Sequence, residues 1–211
     1  MVKMILKLKN YLRFVYNLLQ LTLQEFRRFI YCLVILFVNW LKRKFSQMFD
    51  TLFLDRDGVI NKKLENRYVT CIKEFVFIDG VLESFTTINK FFKRVIIITN
   101  QQGIGKKIMT TKQLEDIHNY MISEIENSGG KISKIYFCPD LSSKENNCRK
   151  PGTKMFEKAL EDFPKIDLKK SYMIGDSDTD IIAGEKMGIE SVKVDHKFNL
   201  KSALKKIVNI P

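Results

Sequence analysis

The chain has 211 residues, four cysteines and a formal net charge of +12. This length is sufficient for one well-buried α/β domain, and so few cysteines exclude a dense disulfide framework and suit a reducing compartment. No internal repeat or low-complexity tract is present, which excludes a repeat protein and a compositionally biased chain.

The positive charge is concentrated at the N-terminus. Residues 1–47 hold nine Lys or Arg against a single acid, Glu25, giving +8 and leaving +4 for residues 48–211. Their apolar stretch, Phe29–Leu41, is shorter than the roughly 20 residues of a bilayer-spanning helix. We therefore expect a basic, apolar, helical extension that either lies on an anionic membrane surface or reflects a misannotated start ahead of Met48. Nucleic-acid binding is not expected, because the remainder carries no basic stripe interleaved with aromatic residues.

The first predicted strand, Thr51–Leu54, is followed by two carboxylates, Asp55 and Asp57, and by Gly58 at a turn. In an open α/β sheet, ligands bind beyond the carboxyl ends of the strands. Two acids at such an end can share a divalent cation such as Mg²⁺, and one of them can attack phosphorus to form an aspartyl-phosphate. Taken alone, the pattern is also typical of a solvated turn.

Two further predicted strands end in groups that suit a phosphate. Arg94–Thr99 delivers its terminal threonine and Asn100 to a polar turn, where a hydroxyl and backbone N–H groups can donate to phosphate oxygens. Lys134–Cys138 leads into a loop that ends in Arg149 and Lys150. These two offer a forked and a point positive charge to a phosphoryl group.

The fourth predicted strand, Ser171–Gly175, precedes a second acidic cluster that begins at Asp176 and completes a metal site of carboxylates. A last strand is predicted at Ser191–Val194. Because helical patterns alternate with the strands, we expect an α/β fold with a parallel sheet and helices on both faces. His118 is expected to be a helix-face residue rather than a ligand. The predicted helices are Val81–Phe92, Thr111–Asn127, Lys154–Asp162 and Asp178–Met187.

Four motifs carry a resemblance to a known family. They are DRDGVIN (55–61), TNQQGIG (99–105), CRKP (148–151) and GDSDTD (175–180). With them the chain resembles the haloacid dehalogenase (HAD) superfamily of phosphohydrolases over about residues 48 to 195. Within it, the motifs are similar to the small-cap group that acts on heptose bisphosphate and histidinol phosphate. The resemblance implies a Rossmann-like HAD fold with a minimal cap over residues 48–211.

The resemblance also implies residue roles. Asp55 would be the nucleophile and Asp57 the general acid/base. Thr99 and Lys150 would hold the transferring phosphoryl group. Mg²⁺ would be bound by Asp55, the backbone carbonyl of Asp57, and Asp176, with Ser177 and Asp180 supporting these ligands. The residues implied to contact the substrate are Asn100, Gln101, Arg149, Asn66 and Tyr68.

One loop departs from the family pattern. Better-known members bind zinc there through three cysteines and one histidine, whereas this chain keeps Cys138 and Cys148 but has Asp140 and Asn146 at the other two positions. Two thiolates and a carboxylate make a poor structural zinc site. We expect no zinc, with the loop held by proximity of the cysteine remnants, by hydrogen bonds or only loosely. A disulfide is less expected in a reducing cytosol.

These observations predict a Mg²⁺-dependent phosphatase for a small phosphorylated metabolite, D-glycero-D-manno-heptose 1,7-bisphosphate. Histidinol phosphate is the alternative substrate, and a polynucleotide 3′-phosphatase is a further alternative. A non-enzymatic alternative is a catalytically weak module tethered through its N-terminus. We expect a cytoplasmic monomer, with membrane-surface contact through residues 1–47 left open.

Overall fold

The computed structural model describes residues 10, 12–15, 24–28, 30–37 and 49–208. The described residues before residue 38 are all helical, and the remainder of the expected extension lies outside the described residues. Contacts divide the chain into two units, Met1–Gln47 and Met48–Pro211. Among the described residues, no helix combines the length and the apolar character needed to cross a bilayer. Contact of residues 1–47 with a membrane surface stays a prediction.

The second unit is built on a five-stranded, fully parallel sheet with strand order β3-β2-β1-β4-β5. The order reverses direction beside β1, which lies between β2 and β4. Such a reversal leaves a crevice at the carboxyl ends of the central strands. The strands are β1 Phe49–Leu54, β2 Phe92–Asn100, β3 Lys134–Cys138, β4 Tyr172–Gly175 and β5 Glu190–Lys193.

A helix lies between each pair of consecutive strands, as parallel pairing requires, and another follows the last strand. Between β1 and the first helix of this unit the chain forms isolated bridges at Asn61 and one short 3₁₀ turn, Ile72–Glu74, which agrees with the minimal cap. A second 3₁₀ turn, Leu168–Lys170, precedes β4. The α-helices are α1 Val81–Phe91, α2 Thr111–Asn127, α3 Lys154–Asp162, α4 Asp178–Lys186 and α5 Leu200–Val208.

The sheet is covered on both faces, as expected. Successive side chains of a strand point to opposite faces, so Leu52 and Leu54 of β1 join one buried cluster while Phe53 joins the other. The first cluster includes apolar residues of α1, α2 and α5, and the second includes residues of α3 and α4. Burial on both faces explains why the central strands are continuous apolar runs.

Predicted and observed boundaries agree closely where a local signal marks them. Helix α2 starts as predicted because Thr110 and Gln113 form a capping box, in which each side chain accepts from the other's backbone N–H. Helix α5 was not predicted, which is the main omission. Its buried residues Leu200, Ala203 and Leu204 do have helical spacing.

Helix α4 approaches the sheet so closely that Gly184 has no room for a side chain. A Cβ there would overlap Ser191 Oγ and lie 3.0 Å from Met173 Cβ. We expect Gly184→Ala to lower the free energy of unfolding by about 1–3 kcal/mol despite the better helix propensity of alanine, since overpacking forces the strands to shift.

Denaturant unfolding of Gly184→Ala, Ser191→Ala and the double variant would measure this effect. Removing the hydroxyl should return part of the lost stability to the double variant. A stabilised Gly184→Ala protein would contradict the observed closeness of α4 to β4 and β5.

Candidate active site

A cleft of about 260 Å³ opens at the carboxyl ends of the central strands. Asp55 follows β1 directly, Thr99 lies near the end of β2, and Asp176 follows β4 directly. The loop between β3 and α3 contributes Lys150. The cleft therefore gathers most of the predicted catalytic and metal-binding residues, including Asp55, Asp57, Thr99, Lys150, Asp176 and Asp180.

Lys150 lies at the bottom of this cleft and is 3% exposed. Its Nζ donates to Asp55 Oδ1 at 2.8 Å, pairs with Asp180 Oδ1 at 2.6 Å, and also donates to the carbonyl of Ile98. Burial alone would lower the pKa of Lys150, but the two carboxylates outweigh burial and raise it. The ammonium is therefore kept charged at the point where a phosphoryl group would enter.

Asn100 fixes the main chain of this lysine. Its Oδ1 accepts from the backbone N–H of Lys150 at 3.0 Å, and its Nδ2 donates to the carbonyl of Lys150 at 3.2 Å. Asn100 was predicted to contact the substrate, and it does line the cleft. Its hydrogen bonds also give it a positioning role that the sequence did not indicate.

Asp55 is the buried carboxylate that faces Lys150. Burial is the main cause that raises its pKa to about 7, and the nearby charges of Asp180 and Asp57 add to the shift, while Lys150 opposes it. A carboxylate that attacks phosphorus must be ionised. Additional positive charge beside Asp55, such as that of a divalent cation, would lower this pKa and favour the reactive form.

Asp57 lies on the same cleft in a different environment. Burial would raise its pKa, but the guanidinium of Arg56 and hydrogen bonds from Arg56, Asn61 and Gln101 outweigh burial and lower it. The two acids of the DRDG motif therefore have pKa values moved in opposite directions. In the free protein, Asp57 is therefore the more readily ionised of the two acids.

The acidic cluster suits a hard cation. Carboxylate oxygens of Asp55, Asp176 and Asp180 lie within 4.8 Å of one another. Among the described residues, no hydrogen-bond partner faces the buried Oδ1 of Asp176, whereas its Oδ2 accepts from Lys63 Nζ at 2.6 Å. Gly58, with φ of +88°, allows the chain after β1 to touch the Asp176 side chain. An all-oxygen donor set with one unpaired buried oxygen fits Mg²⁺.

Ser177 and Asp180 support this cluster from the start of α4. Both the backbone N–H and the hydroxyl of Ser177 donate to Asp180 Oδ2, at 3.0 and 2.6 Å. This leaves Oδ1 of Asp180 for Lys150. The capping box therefore starts the helix and also holds the buried lysine.

The cleft lining also includes Tyr68 and Arg149, whose contact with a substrate stays a prediction, together with Gln102. Gln102 Nε2 donates to the Tyr68 hydroxyl at 2.9 Å, which fixes the ring beside the entrance. Two other predicted contacts are located differently. Gln101 is buried and its Nε2 donates to Asp57 and Thr99, while Asn66 is an exposed turn residue with φ of +56° outside the cleft lining.

The loop before the CRKP motif is closed by a disulfide between Cys138 and Cys148. This bond was the less expected of the arrangements considered for the loop, and it makes the two cysteines a covalent tether rather than mere remnants. Asp140 adds a hydrogen bond from the Cys148 backbone N–H at 3.1 Å and an ion pair with Lys144. Sulfurs in a disulfide are not thiolates, the form in which cysteine binds zinc.

Comparison with known proteins agrees with the geometry. A family model described as HAD-hydrolase-like matches residues 147–209. A D-glycero-D-manno-heptose-1,7-bisphosphate 7-phosphatase of Chlorobaculum tepidum is 31% identical over 162 residues, which cover 72% of this chain and 81% of the relative. The chain belongs to the HAD superfamily of phosphatases. This HAD chain has the family's parallel α/β fold, with its acids at the expected strand ends.

Two further comparisons define the extent of the similarity. The histidine biosynthesis bifunctional protein HisB of Buchnera aphidicola is 36% identical over 143 residues, 67% of this chain but only 40% of the relative's length. The crystal structure of a D,D-heptose 1,7-bisphosphate phosphatase from B. bronchiseptica has a TM-score of 0.65 at 22% identity. It matches 76% of this HAD chain and 98% of the crystallised chain, which supports the shared fold.

Several residues of this HAD site were missed from sequence. Arg56, Lys63 and Gln102 contact predicted site residues, yet each reads as an ordinary polar residue in its local stretch. His118 was expected on a helix face, and it is on α2, but the helix turns it into the interior, where it is 7% exposed. The sequence signal for burial was that His118 follows the apolar Leu114 by four residues, which places both on the same face of a helix. Leu114 is fully buried in the structure.

His118 gives the stability of the protein a specific pH dependence. Burial and the neighbouring Arg56 lower its pKa from 6.5 to about 3. The unfolded chain therefore binds more protons than the folded one between these values, and stability falls as the pH falls through this window. From about pH 7 to about pH 5.5 we expect the wild type to lose about 1 kcal/mol more than His118→Gln.

Denaturant unfolding of both proteins at the two pH values tests this expectation, since the other titrating groups are shared. An equal loss in the wild type and in His118→Gln would show that His118 is not held neutral in the folded state.

The disulfide predicts a redox-dependent loop. Reduction with a small thiol should accelerate tryptic cleavage after the exposed Lys144, because the tether that closes residues 138–148 is lost. The double variant Cys138→Ser/Cys148→Ser should be cleaved at the fast rate with or without thiol, and Cys71→Ser, which removes an exposed free thiol, should behave as wild type. Equal cleavage of oxidised and reduced wild type would show that the tether does not order the loop.

Proposed function

We propose that this protein is a Mg²⁺-dependent phosphatase that hydrolyses D-glycero-D-manno-heptose 1,7-bisphosphate through a phosphorylated Asp55. The observation that carries the proposal is the convergence on one cleft of a nucleophile, an acid/base and a buried cation. Asp55, Asp57 and Lys150 all line it, and Lys150 Nζ is 2.8 Å from Asp55 Oδ1. Phosphoryl transfer requires mainly such positioning and charge.

In the first half of the reaction a carboxylate oxygen of Asp55 forms a bond to phosphorus while the bond from phosphorus to the leaving oxygen breaks. Arg56 lowers the pKa of Asp57 in the free protein, so Asp57 must take up a proton when the negative charge of the phosphate enters the cleft and raises that pKa. Asp57 then gives this proton to the leaving oxygen, which departs as an alcohol. Lys150 and the hydroxyl of Thr99 hold the other phosphoryl oxygens. The Lys150 ammonium supplies positive charge where the negative charge of the transition state is spread.

In the second half a water oxygen attacks phosphorus and the bond to Asp55 breaks, which releases inorganic phosphate. Asp57, now a carboxylate, takes the proton from that water. Asp55, Asp176 and the backbone carbonyl of Asp57 would hold Mg²⁺, which would supply further positive charge and favour ionised Asp55. The unpaired buried oxygen of Asp176 supports a cation at this position.

The choice of a heptose bisphosphate is supported by the Chlorobaculum relative, which carries that activity in its name and aligns over 81% of its own length. The outer cleft also carries three basic side chains besides the buried lysine: Lys63, Arg67 and Arg149. A substrate with a second phosphate would meet favourable charge there.

Histidinol phosphate is the second candidate substrate. The Buchnera HisB relative is more identical to the chain, at 36%, although the matched region is only 40% of that bifunctional protein. A catalytically weak tethered module is less well supported, because Asp55, Asp57, Thr99, Lys150 and Asp176 all line the one cleft.

The first test compares phosphate release from heptose 1,7-bisphosphate and from histidinol phosphate by the full chain with Mg²⁺. We expect release from the heptose substrate, and loss of at least about 10³-fold in Asp55→Asn, because an amide cannot form the acyl phosphate. Asp178→Asn is a matched control, since that carboxylate is mostly exposed, pairs with Lys193 at the surface and is not part of the cleft lining.

Thermal unfolding would verify that both variants remain folded. Undiminished activity in Asp55→Asn would contradict the mechanism. A preference for histidinol phosphate would contradict only the choice of substrate.

A further inference from the structure

Arg56 lies between the two acids of the DRDG motif, and no part of the mechanism above uses it. It is among the largest fully buried side chains, and its residue exposure is 0%. Burying a guanidinium is costly unless each of its N–H groups finds a partner. The hydrogen bonds that the chain provides to Arg56 therefore indicate what the residue does.

The Arg56 guanidinium donates three hydrogen bonds to the carboxylate of Asp57. Arg56 Nη2 donates to both oxygens, at 2.7 Å to Oδ1 and 2.8 Å to Oδ2, and Nε donates to Oδ1 at 3.2 Å. Asn61 Nδ2 and Gln101 Nε2 add one hydrogen bond each, both at 2.9 Å. With donors on both oxygens, the Asp57 side chain has one orientation on the cleft.

His118 of α2 contacts the Arg56 guanidinium through Nη1, the nitrogen that does not bind Asp57. Its Nε2 lies 3.3 Å from Arg56 Nη1. Arginine can only donate, so Nε2 must accept, and the imidazole proton must be on Nδ1. The ring packs edge-on against Phe137, and the guanidinium lies over Phe75 at 6.0 Å from the ring centroid. These contacts hold the arginine fork in one plane.

We propose that Arg56, oriented by His118, is a positioning residue that holds the Asp57 carboxyl group where it exchanges a proton with the leaving oxygen. The inference rests on the function proposed above and adds two residues to it. General acid catalysis requires the acid within hydrogen-bond reach of the departing oxygen. An Asp57 side chain released from Arg56 would sample other rotamers and lose that reach.

This role predicts an effect that depends on the leaving group. An alkoxide is a poor leaving group and needs the proton from Asp57, whereas a nitrophenolate departs without one. We expect Arg56→Lys to lower kcat/KM for an alkyl phosphate by about 100-fold and for p-nitrophenyl phosphate by less than about fivefold, in line with the usual size of general acid catalysis. A lysine cannot reproduce the fork that binds both oxygens of Asp57.

His118 supplies a second, milder test. His118→Leu leaves Arg56 Nη1 without its acceptor and should lower kcat/KM for the alkyl phosphate by about tenfold, again with little change for the aryl phosphate. His118→Gln keeps an acceptor at similar reach and should restore most of the loss. Arg94→Lys is the matched control, because Arg94 also pairs with an aspartate, Asp50, but outside the cleft.

The experiment measures kcat/KM of the wild type and the four variants on 2-phosphoglycerol and p-nitrophenyl phosphate with Mg²⁺. A selective loss on the alkyl substrate in Arg56→Lys and His118→Leu supports the proposal. Equal losses on both substrates, or none, overturn it and leave the phosphatase function standing. If Arg56→Lys does not fold, the two His118 variants decide. A kcat/KM for the alkyl phosphate that is lower in His118→Leu than in His118→Gln supports the proposal, and equal values overturn it. If the wild type cleaves neither of these phosphates, heptose 1,7-bisphosphate replaces 2-phosphoglycerol as the alkyl phosphate and Arg56→Lys is compared with Arg94→Lys on it, where an equal rate overturns the inference. A wild type that is also inactive on heptose 1,7-bisphosphate overturns the proposed function, and this inference with it.

Discussion

The buried ammonium of Lys150 is the interaction on which the arrangement of this site depends. A lysine at 3% exposure is stable only with charged partners, and these come from distant parts of the chain: Asp55 after β1 and Asp180 in the first turn of α4. The parallel order β3-β2-β1-β4-β5 brings these strand ends to one edge. Asn100 at the end of β2 then fixes the lysine main chain. The sheet topology thus assembles the charges that the proposed chemistry uses.

Negative charge is in excess around Lys150, and this excess favours the binding of a cation. Asp55 and Asp180 share one ammonium, while Asp176 pairs with the half-exposed Lys63 and keeps one buried oxygen that has no hydrogen-bond partner among the described residues. Burial, together with the nearby charges of Asp180 and Asp57, raises the pKa of Asp55 to about 7. A divalent cation bound beside these carboxylates would offset the excess of negative charge and would lower the pKa of Asp55. Asp57 differs because the buried guanidinium of Arg56 lies beside it and lowers its pKa. The two carboxylates of this short motif therefore have pKa values shifted in opposite directions.

Sequence patterns predicted the parts of the protein that depend on local signals. The apolar runs of β1 and β2 and the helical pattern of α2 located these elements to within a few residues, and the acids at the strand ends indicated the site. The partners of those acids could not be predicted in the same way. Arg56 and His118 are 62 positions apart, and their contact depends on how α2 packs on the sheet. The Cys138–Cys148 bond was similarly underestimated, because spacing alone does not report the distance between two sulfurs.

In the proposed reaction the phosphoryl group passes through Asp55, and this transfer can be observed directly. Asp57→Asn removes the base that activates water, while p-nitrophenyl phosphate does not need an acid for its leaving group, so the acyl phosphate should accumulate. The decisive measurement is acid quenching of this variant with p-nitrophenyl phosphate and Mg²⁺, followed by peptide mass spectrometry. We expect a phosphoryl adduct on the peptide that contains Asp55, and no adduct when Asp55 is also changed to Asn. Nitrophenol release without such an adduct, or an adduct on another residue, would contradict it.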